Sequence, residues 1–508
     1  MNNNSRTKNS IKNVGVGSFL QLFALLLSFV TRTIFIKLLG IEYLSVDGLF
    51  SNILTLLNFT ELGIGSAIIF SLYEPIANND QAKIGALMNL IRKAYIYIAL
   101  TIFVVGLIVI PILPYLIKDV PDVKENLVLL YILFLLNTVC TYVYSYKKSL
   151  LIADQKNYVV LIIYQCVHLF MILGQIVLLL LTHNYVLYLL LLIICTLINN
   201  VLTTKYVDKH YVWLNDNMCC ELSRKSRNLV FANIRSIALY KLGSVILNGT
   251  NSIVISVFIK TVLVGYCSNY LLITNSVTSV INQGMSGLMA SVGNYNVNAR
   301  PDENERLFQQ LDFLMFTGLS FISIGLCIFM NDFITLWIGR SYVLSNNFVY
   351  VIVLSFYVML INTIPSTFRT AMGLFERAKY YPFLAALINL ILSIVFAKFF
   401  GLLGVFVANI IARLGCYTLV DAKLIYKYGF KNSSLHYYRT SLLKLLYIVV
   451  VFFLISVIFD NLSLSNSLFL RIIQKSIVFL LVFFLTFYLC WWNDKSFKML
   501  RSKFKCKF

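Results

Sequence analysis

The chain has 508 residues, is 59% hydrophobic and only 12% charged, and has a mean hydropathy of +0.82. Soluble domains are nearer half apolar and a quarter charged, so a string of soluble domains is excluded in favour of one polytopic membrane domain. The net charge of +21 would suggest nucleic acid in a soluble protein, but here the cations are spread over short connections, as membrane orientation requires.

Residues 1–13 are polar and basic and read as a cytosolic tail. The apolar run after them is too long for the core of a cleavable signal peptide. Fourteen spans are expected: about 14–38, 42–72, 92–117, 125–145, 158–181, 185–204, 236–259, 262–293, 311–331, 346–373, 379–399, 402–424, 441–459 and 470–492. With the N-terminus inside, the cytosolic segments hold 29 of the 42 Lys and Arg, including Lys147 and Lys148. The outer segments hold eight, and five lie within spans: Arg32, Lys241, Arg369, Arg413 and Lys444. That bias puts both termini in the cytosol and the chain in the cell membrane. The longest connection, 205–235, divides a first six-helix bundle (14–204) from a second (236–426). An extra helix pair (441–492) and a basic cytosolic tail (493–508) follow. The fold class is therefore all-α, with two bundles and a peripheral pair.

Arg32 lies inside the run Val14 to Leu39, where a cation costs roughly 2.5–3.5 kcal/mol. Asp47 and Glu61 follow in the next span. At about 100° per residue, Asp47, Ser51, Asn58 and Glu61 share one face. Other spans carry similar polar stripes: Lys241, Ser244, Asn248 and Asn251; Ser268, Asn275, Ser279 and Asn282; Ser355, Asn362, Ser366 and Arg369; Asn409 and Arg413. Single small polar residues glue helices together, but aligned rows of them describe a cavity wall. Pro365 predicts a kink in the tenth span. Lys241 and Arg369 are near span ends, where snorkelling to the surface is the competing explanation.

Gly48, Ser51, Asn52 and Asn58 recur 217 residues later as Gly265, Ser268, Asn269 and Asn275. Each set opens the second helix of its half. The repeat is parallel, which implies an axis along the membrane normal with a cavity between the halves.

Nucleotide-binding glycine patterns, zinc motifs and Cys/His metal spacings are absent from the sequence, so neither a cofactor nor a metal is expected. The ten cysteines are scattered, and His168 reads as a core histidine. No outer connection is long enough to form a catalytic domain, so the chain is expected not to be an enzyme.

Arg32 to Ala77, Ser291 to Asn296 and Thr370 to Leu414 together resemble Wzx-type polysaccharide-repeat flippases. These belong to the multidrug/oligosaccharidyl-lipid/polysaccharide exporter superfamily, and the similarity runs over essentially the full chain. It implies a polyprenyl-diphosphate-linked oligosaccharide as substrate, moved from the cytosolic to the outer leaflet for surface polysaccharide or capsule assembly. It also implies alternating access between the bundles, with a polysaccharide polymerase and glycosyltransferases as partners beside membrane lipids. In the related lipid II flippases an arginine in helix one and an aspartate early in helix two matter for transport. Arg32 and Asp47 occupy similar places. The substrate-binding candidates are thus Arg32, Asp47, Asn58, Glu61, Lys241, Asn248, Asn275, Asn282, Arg369 and Arg413. Arg32 either holds the diphosphate or pairs with Asp47 or Glu61. The alternatives are a drug/cation antiporter of the same fold, whose site should favour carboxylates, and an integral membrane glycan polymerase or acyltransferase.

Overall fold

A computed structural model describes residues 23, 25–61, 64–214, 242–298, 300–462, 467–492, 494 and 497–498. The expected tail 1–13, Lys241, most of the 205–235 connection and most of the basic tail 493–508 lie outside these residues. The described residues are helices and turns with no strand. Nine of their helices are long and apolar enough to cross a membrane, making this a multi-pass membrane protein. Shorter apolar helices supplement them.

The helices are, in chain order, α1 (residues 25–39), α2 (Ile41–Leu57), α3 (Ile64–Ala77), α4 (Gln81–Val109), α5 (Leu127–Cys140), α6 (Tyr146–Ala153), α7 (Asn157–Thr182), α8 (Tyr185–His210) and α9 (Leu242–Phe258). They continue as α10 (Val262–Asn298), α11 (Pro301–Trp337), α12 (Asn346–Ile361), α13 (Thr363–Ala371), α14 (Tyr381–Phe400), α15 (Leu402–Arg413), α16 (Leu435–Asn461) and α17 (Leu468–Trp491). Packing groups the described residues into two units, those within 1–269 and 279–283, and those within 270–278 and 284–508.

Local chemistry sets the breaks. Gly40 joins α1 to α2 at φ 90°, a conformation strained for any residue with a Cβ. Asn126 and Asn184 cap α5 and α8, accepting from the N–H groups of Val128 (2.8 Å) and Leu187 (3.2 Å). The break in the tenth expected span falls at Asn362, between α12 and α13. Pro365 explains it: the ring has no N–H to give the Ile361 carbonyl and would clash with that carbonyl.

One sequence expectation needs correction. The second expected span is not one α-helix; a 3₁₀ turn at Asn58–Glu61 ends α2. Glu61 therefore does not continue the face of Asp47 and Ser51, because the turn per residue changes there. Lys147 lies on α6 and is 5% exposed, paired with Asp208 at 2.5 Å.

In the first unit, α7 lies on α8, α5 on α8 and α3 on α4 and α6. In the second, α14 lies on α15, and α12 on α11 and α15. The aromatic rings of Phe308, Phe368, Tyr426, Phe430 and Tyr437 pack mostly edge-on at 5.2–6.3 Å. The α16–α17 pair rests on α11 through Phe321, Phe479 and Phe483. Two ion pairs clip it there: Lys444 with Asp312, and Lys475 with Asp332 at 2.6 Å. The outer faces of both helices remain apolar and exposed, as at Phe453, Leu481 and Leu485, which suits lipid contact.

Candidate functional site

The most informative arrangement is in the first unit, where α1, α2, α8, α9 and the start of α10 meet. Helices α2 and α10 cross at the two glycines of the sequence repeat. A Cβ on Gly265 would stand 2.4 Å from Ser45 Oγ, and one on Gly48 3.2 Å from Val264. The Ser45 hydroxyl lies within donating distance of both the Ile41 carbonyl (2.9 Å) and the Val262 carbonyl (3.0 Å), its one proton serving either, and Ser45 and Val262 are themselves 217 apart in sequence. Each copy thus presents its glycine to the turn preceding the other copy's glycine. Such reciprocity is the geometry of a two-fold axis through the crossing. The Arg32 position corresponds to Gly249 in the second copy. Arg32 reaches Ser268 on α10, and a Cβ on Gly249 would touch Leu56 on α2. At this position the two copies differ: a cation faces α10 where glycine faces α2.

Arg32 is half-buried, and its Nη1–H donates to Ser268 Oγ at 3.3 Å. Ser268 in turn donates its own proton to the Gly265 carbonyl at 2.7 Å, which leaves an oxygen lone pair for the guanidinium. The charges and phenols acting electrostatically on Arg32 are those of Asp47, Tyr188 and Tyr185. Yet among the described residues no carboxylate oxygen lies within 4.0 Å of its nitrogens. Asp47 Oδ1 instead accepts from Tyr185 Oη–H at 3.1 Å. Tyr185 is fully buried, with its ring edge-on to Phe35 at 5.6 Å and to Tyr43 at 5.3 Å.

The other candidates are placed as follows. Asn58 Oδ1 and Glu61 Oε2 converge on the Tyr142 hydroxyl at 3.3 and 3.2 Å, and that single proton serves one of them at a time. Glu61 is thus brought to Tyr142 on the segment after α5. Asn248, Asn275 and Asn282 are exposed. Asn248 returns its amide to the Ser244 carbonyl at 2.8 Å.

Arg369, on α13, is 4% exposed and donates Nη1–H to Asp421 Oδ1 at 2.6 Å. Asn362, at the bend before α13, donates to the other oxygen of Asp421 at 3.0 Å. Asp421 is 1% exposed, so this cation is inside the protein, not snorkelling to a surface. Arg413 ends α15 and is held by an amide: its Nε–H donates to Asn409 Oδ1 at 2.8 Å. The backbone widens to π geometry at once, over Leu414–Thr418, a rare form that recurs at functional positions. Sequence reasoning missed Tyr185, Tyr188, Tyr142 and Asp421. Tyrosine in an apolar span looks like core, and Asp421 lies 52 residues from its partner.

The family-model comparison gives no match, nor does the comparison with curated proteins. Solved structures do match. "Lipid II flippase MurJ" in an inward closed conformation aligns with a TM-score of 0.64 and 15% identity, over 93% of this chain and 98% of its own. An inward-facing multidrug resistance MATE-family transporter of the MOP superfamily aligns at 0.63 and 13%, over 80% of this chain and 98% of its own. The chain has the fold of MOP-superfamily transporters. A third MOP-superfamily transporter with that fold, from Pyrococcus furiosus, is described as having a binding pocket of reversed polarity; it aligns at 0.53 and 12%, over 84% of this chain and 97% of its own. Pocket charge thus differs among proteins that share this fold, so the side chains must decide what is carried.

Proposed function

We propose that this chain is a flippase that moves a polyprenyl-diphosphate-linked oligosaccharide from the cytosolic to the outer leaflet of the cell membrane, for surface polysaccharide assembly. The observation that carries this reading is the setting of Arg32. It is a cation within an apolar span, tethered by a serine, and the carboxylate that acts on it, Asp47, is engaged by a tyrosine. One of its five N–H donors is taken by a described residue, leaving a planar fork suited to a diphosphate. Arg413, held by an amide, is the second cation candidate, and Lys241 the third.

Flipping requires a diphosphate and sugars to cross hydrocarbon. Charge-assisted bonds from arginine replace the water lost by the phosphates. Exposed Asn248, Asn275 and Asn282 offer donors and acceptors to sugar hydroxyls, while the polyprenyl tail stays in lipid. Carrying negative charge outward across an inside-negative membrane is downhill by roughly 2.3 kcal/mol per charge per 100 mV. Both termini lie in the cytosol on this reading, and the polymerase and glycosyltransferases of the same assembly line are the partners.

The test is flipping of a lipid-linked oligosaccharide by the full chain in vesicles, with and without a clamped potential. Arg32→Ala should reduce flipping tenfold or more, and Arg32→Lys should recover it only in part, because an ammonium cannot bind bidentately. Undiminished flipping at zero potential would remove voltage as the driving force. Full activity of Arg32→Ala would remove the flippase mechanism itself.

A drug/cation antiporter is the second reading. It is favoured by the half-buried carboxylates Asp47 and Glu61 and by the fold shared with the MATE transporter. Export of a cationic dye that is lost in Asp47→Asn and kept in Arg32→Ala would establish it instead.

A further inference from the structure

We propose that Tyr185 is a positioning residue that holds Asp47 away from Arg32 and so keeps the guanidinium open to an anion; this rests on the reading of Arg32 as the diphosphate contact. Arg32 and Asp47 are electrostatic neighbours on two helices joined at Gly40. Opposite charges this near, in a medium poorer than water, should close into an ion pair. The second unit shows what closure looks like, in Arg369 and Asp421 at 2.6 Å. In the first unit each partner is restrained from its own side.

Ser268 takes an N–H of Arg32, and Tyr185 gives its proton to Asp47 Oδ1. The Tyr185 hydroxyl is well fixed. Its ring is fully buried, edge-on to Phe35 and Tyr43 and stacked on Tyr188 at 5.7 Å. The helix that carries it is started by the Asn184 cap. Tyr43 is no substitute donor, because its own hydroxyl is committed to Glu125 Oε2 at 2.5 Å.

Tyr185→Phe preserves the ring and removes the proton. Asp47 then has a bare oxygen in a half-buried site, and Arg32 is the cation that acts on it. Capture of Arg32 by Asp47 would compete directly with any anion. Asp47→Asn removes the competitor, so the Tyr185 hydroxyl should then be dispensable.

The experiment measures binding of farnesyl diphosphate, as probe, to the full-length protein in detergent. Arg32→Ala should weaken binding tenfold or more. Tyr185→Phe should weaken it about tenfold, and Tyr185→Phe with Asp47→Asn should return to within twofold of the parent. Should Tyr185→Phe fail to fold, the comparison of Asp47→Asn with the double variant decides: equal affinity supports the proposal, and a tenfold weaker double variant overturns it. Parental affinity in Tyr185→Phe, or failure of Asp47→Asn to restore it, also overturns it. If Arg32→Ala binds as well as the parent, it is the diphosphate reading that falls, whatever Tyr185→Phe does.

Discussion

Arg32 and Arg369 look alike in sequence, each a lone cation in an apolar span on a polar stripe, yet their settings differ. Arg369 is buried beside Asp421, whose second oxygen is satisfied by Asn362 at the bend between α12 and α13. Arg32 has a serine on one side and a carboxylate engaged elsewhere on the other. A cation closed by a carboxylate fixes two helices together. A cation held by a hydroxyl keeps most of its hydrogen-bonding capacity for something else. On the proposed function, the first belongs to stability and the second to transport.

The largest effect that can break this contrast is on stability. Arg369→Ala leaves Asp421 buried without its cation and should cost about 3–5 kcal/mol. Thermal unfolding in detergent would register the loss. Arg369→Met with Asp421→Leu should recover most of it, since an apolar pair of similar volume avoids the desolvation of two charges. Arg32→Ala should behave in the opposite way. Its unfolding should shift by less than about 1 kcal/mol, because only one bond to Ser268 is lost, while transport collapses. A strongly destabilised Arg32→Ala would erase the distinction.

The next effect concerns the platform on which Arg32 sits. Gly265→Val would drive side-chain atoms into Ser45 and the Ile41 carbonyl, both backbone-tethered, and should cost about 1–3 kcal/mol. Gly249→Ala meets mainly the Leu56 side chain, with the Asn52 carbonyl at an ordinary 3.8 Å, and should cost less. Equal losses in unfolding experiments would argue against a tight α2–α10 crossing.

The smallest effect comes from a third kind of cation, at the surface. Lys156 lies between Asp154 at 2.7 Å and the Tyr211 hydroxyl at 3.0 Å. Burial alone would lower its pKa, but the bonds to Asp154 and Tyr211 outweigh that and raise it. Burial, with the bond to Asp154, also raises the Tyr211 phenol. Both groups keep their protons to higher pH in the folded state. Their contribution is therefore complete below about pH 10, the ordinary range of these groups, and fades as pH climbs through the raised folded values. Unfolding temperature should be flat from neutral pH to about 10 and fall above it, and Lys156→Met should flatten that fall. A decline already under way at pH 8 would point to another group.

The fold was largely legible. Apolar runs gave the helices, Pro365 marked the bend at Asn362, and the weak 217-residue repeat corresponds to two glycines that meet at a helix crossing. What was hidden follows from the limits of periodicity. A 3₁₀ turn at Asn58–Glu61 rotates Glu61 off the face that a continuous helix would give it, and only the nearby Gly63 and Gly65 hinted at a break. Arg32 was found because a cation in hydrocarbon is costly. Its setting was not, because Tyr185 reads as another apolar-span aromatic and its hydroxyl shows its use only when α8 lies against α2. Likewise the roles of Arg32 and Arg369 diverge through Asp421, which no local spacing connects to Arg369.

The central claim is that an open Arg32 serves passage of a lipid-linked anion between leaflets. It is tested most directly in cells lacking the chain and complemented with Arg32→Ala, by locating lipid-linked oligosaccharide repeat units with a membrane-impermeant glycan label. The account predicts that single repeat units accumulate on the inner leaflet, out of reach of the label. Accumulation on the outer leaflet would contradict it.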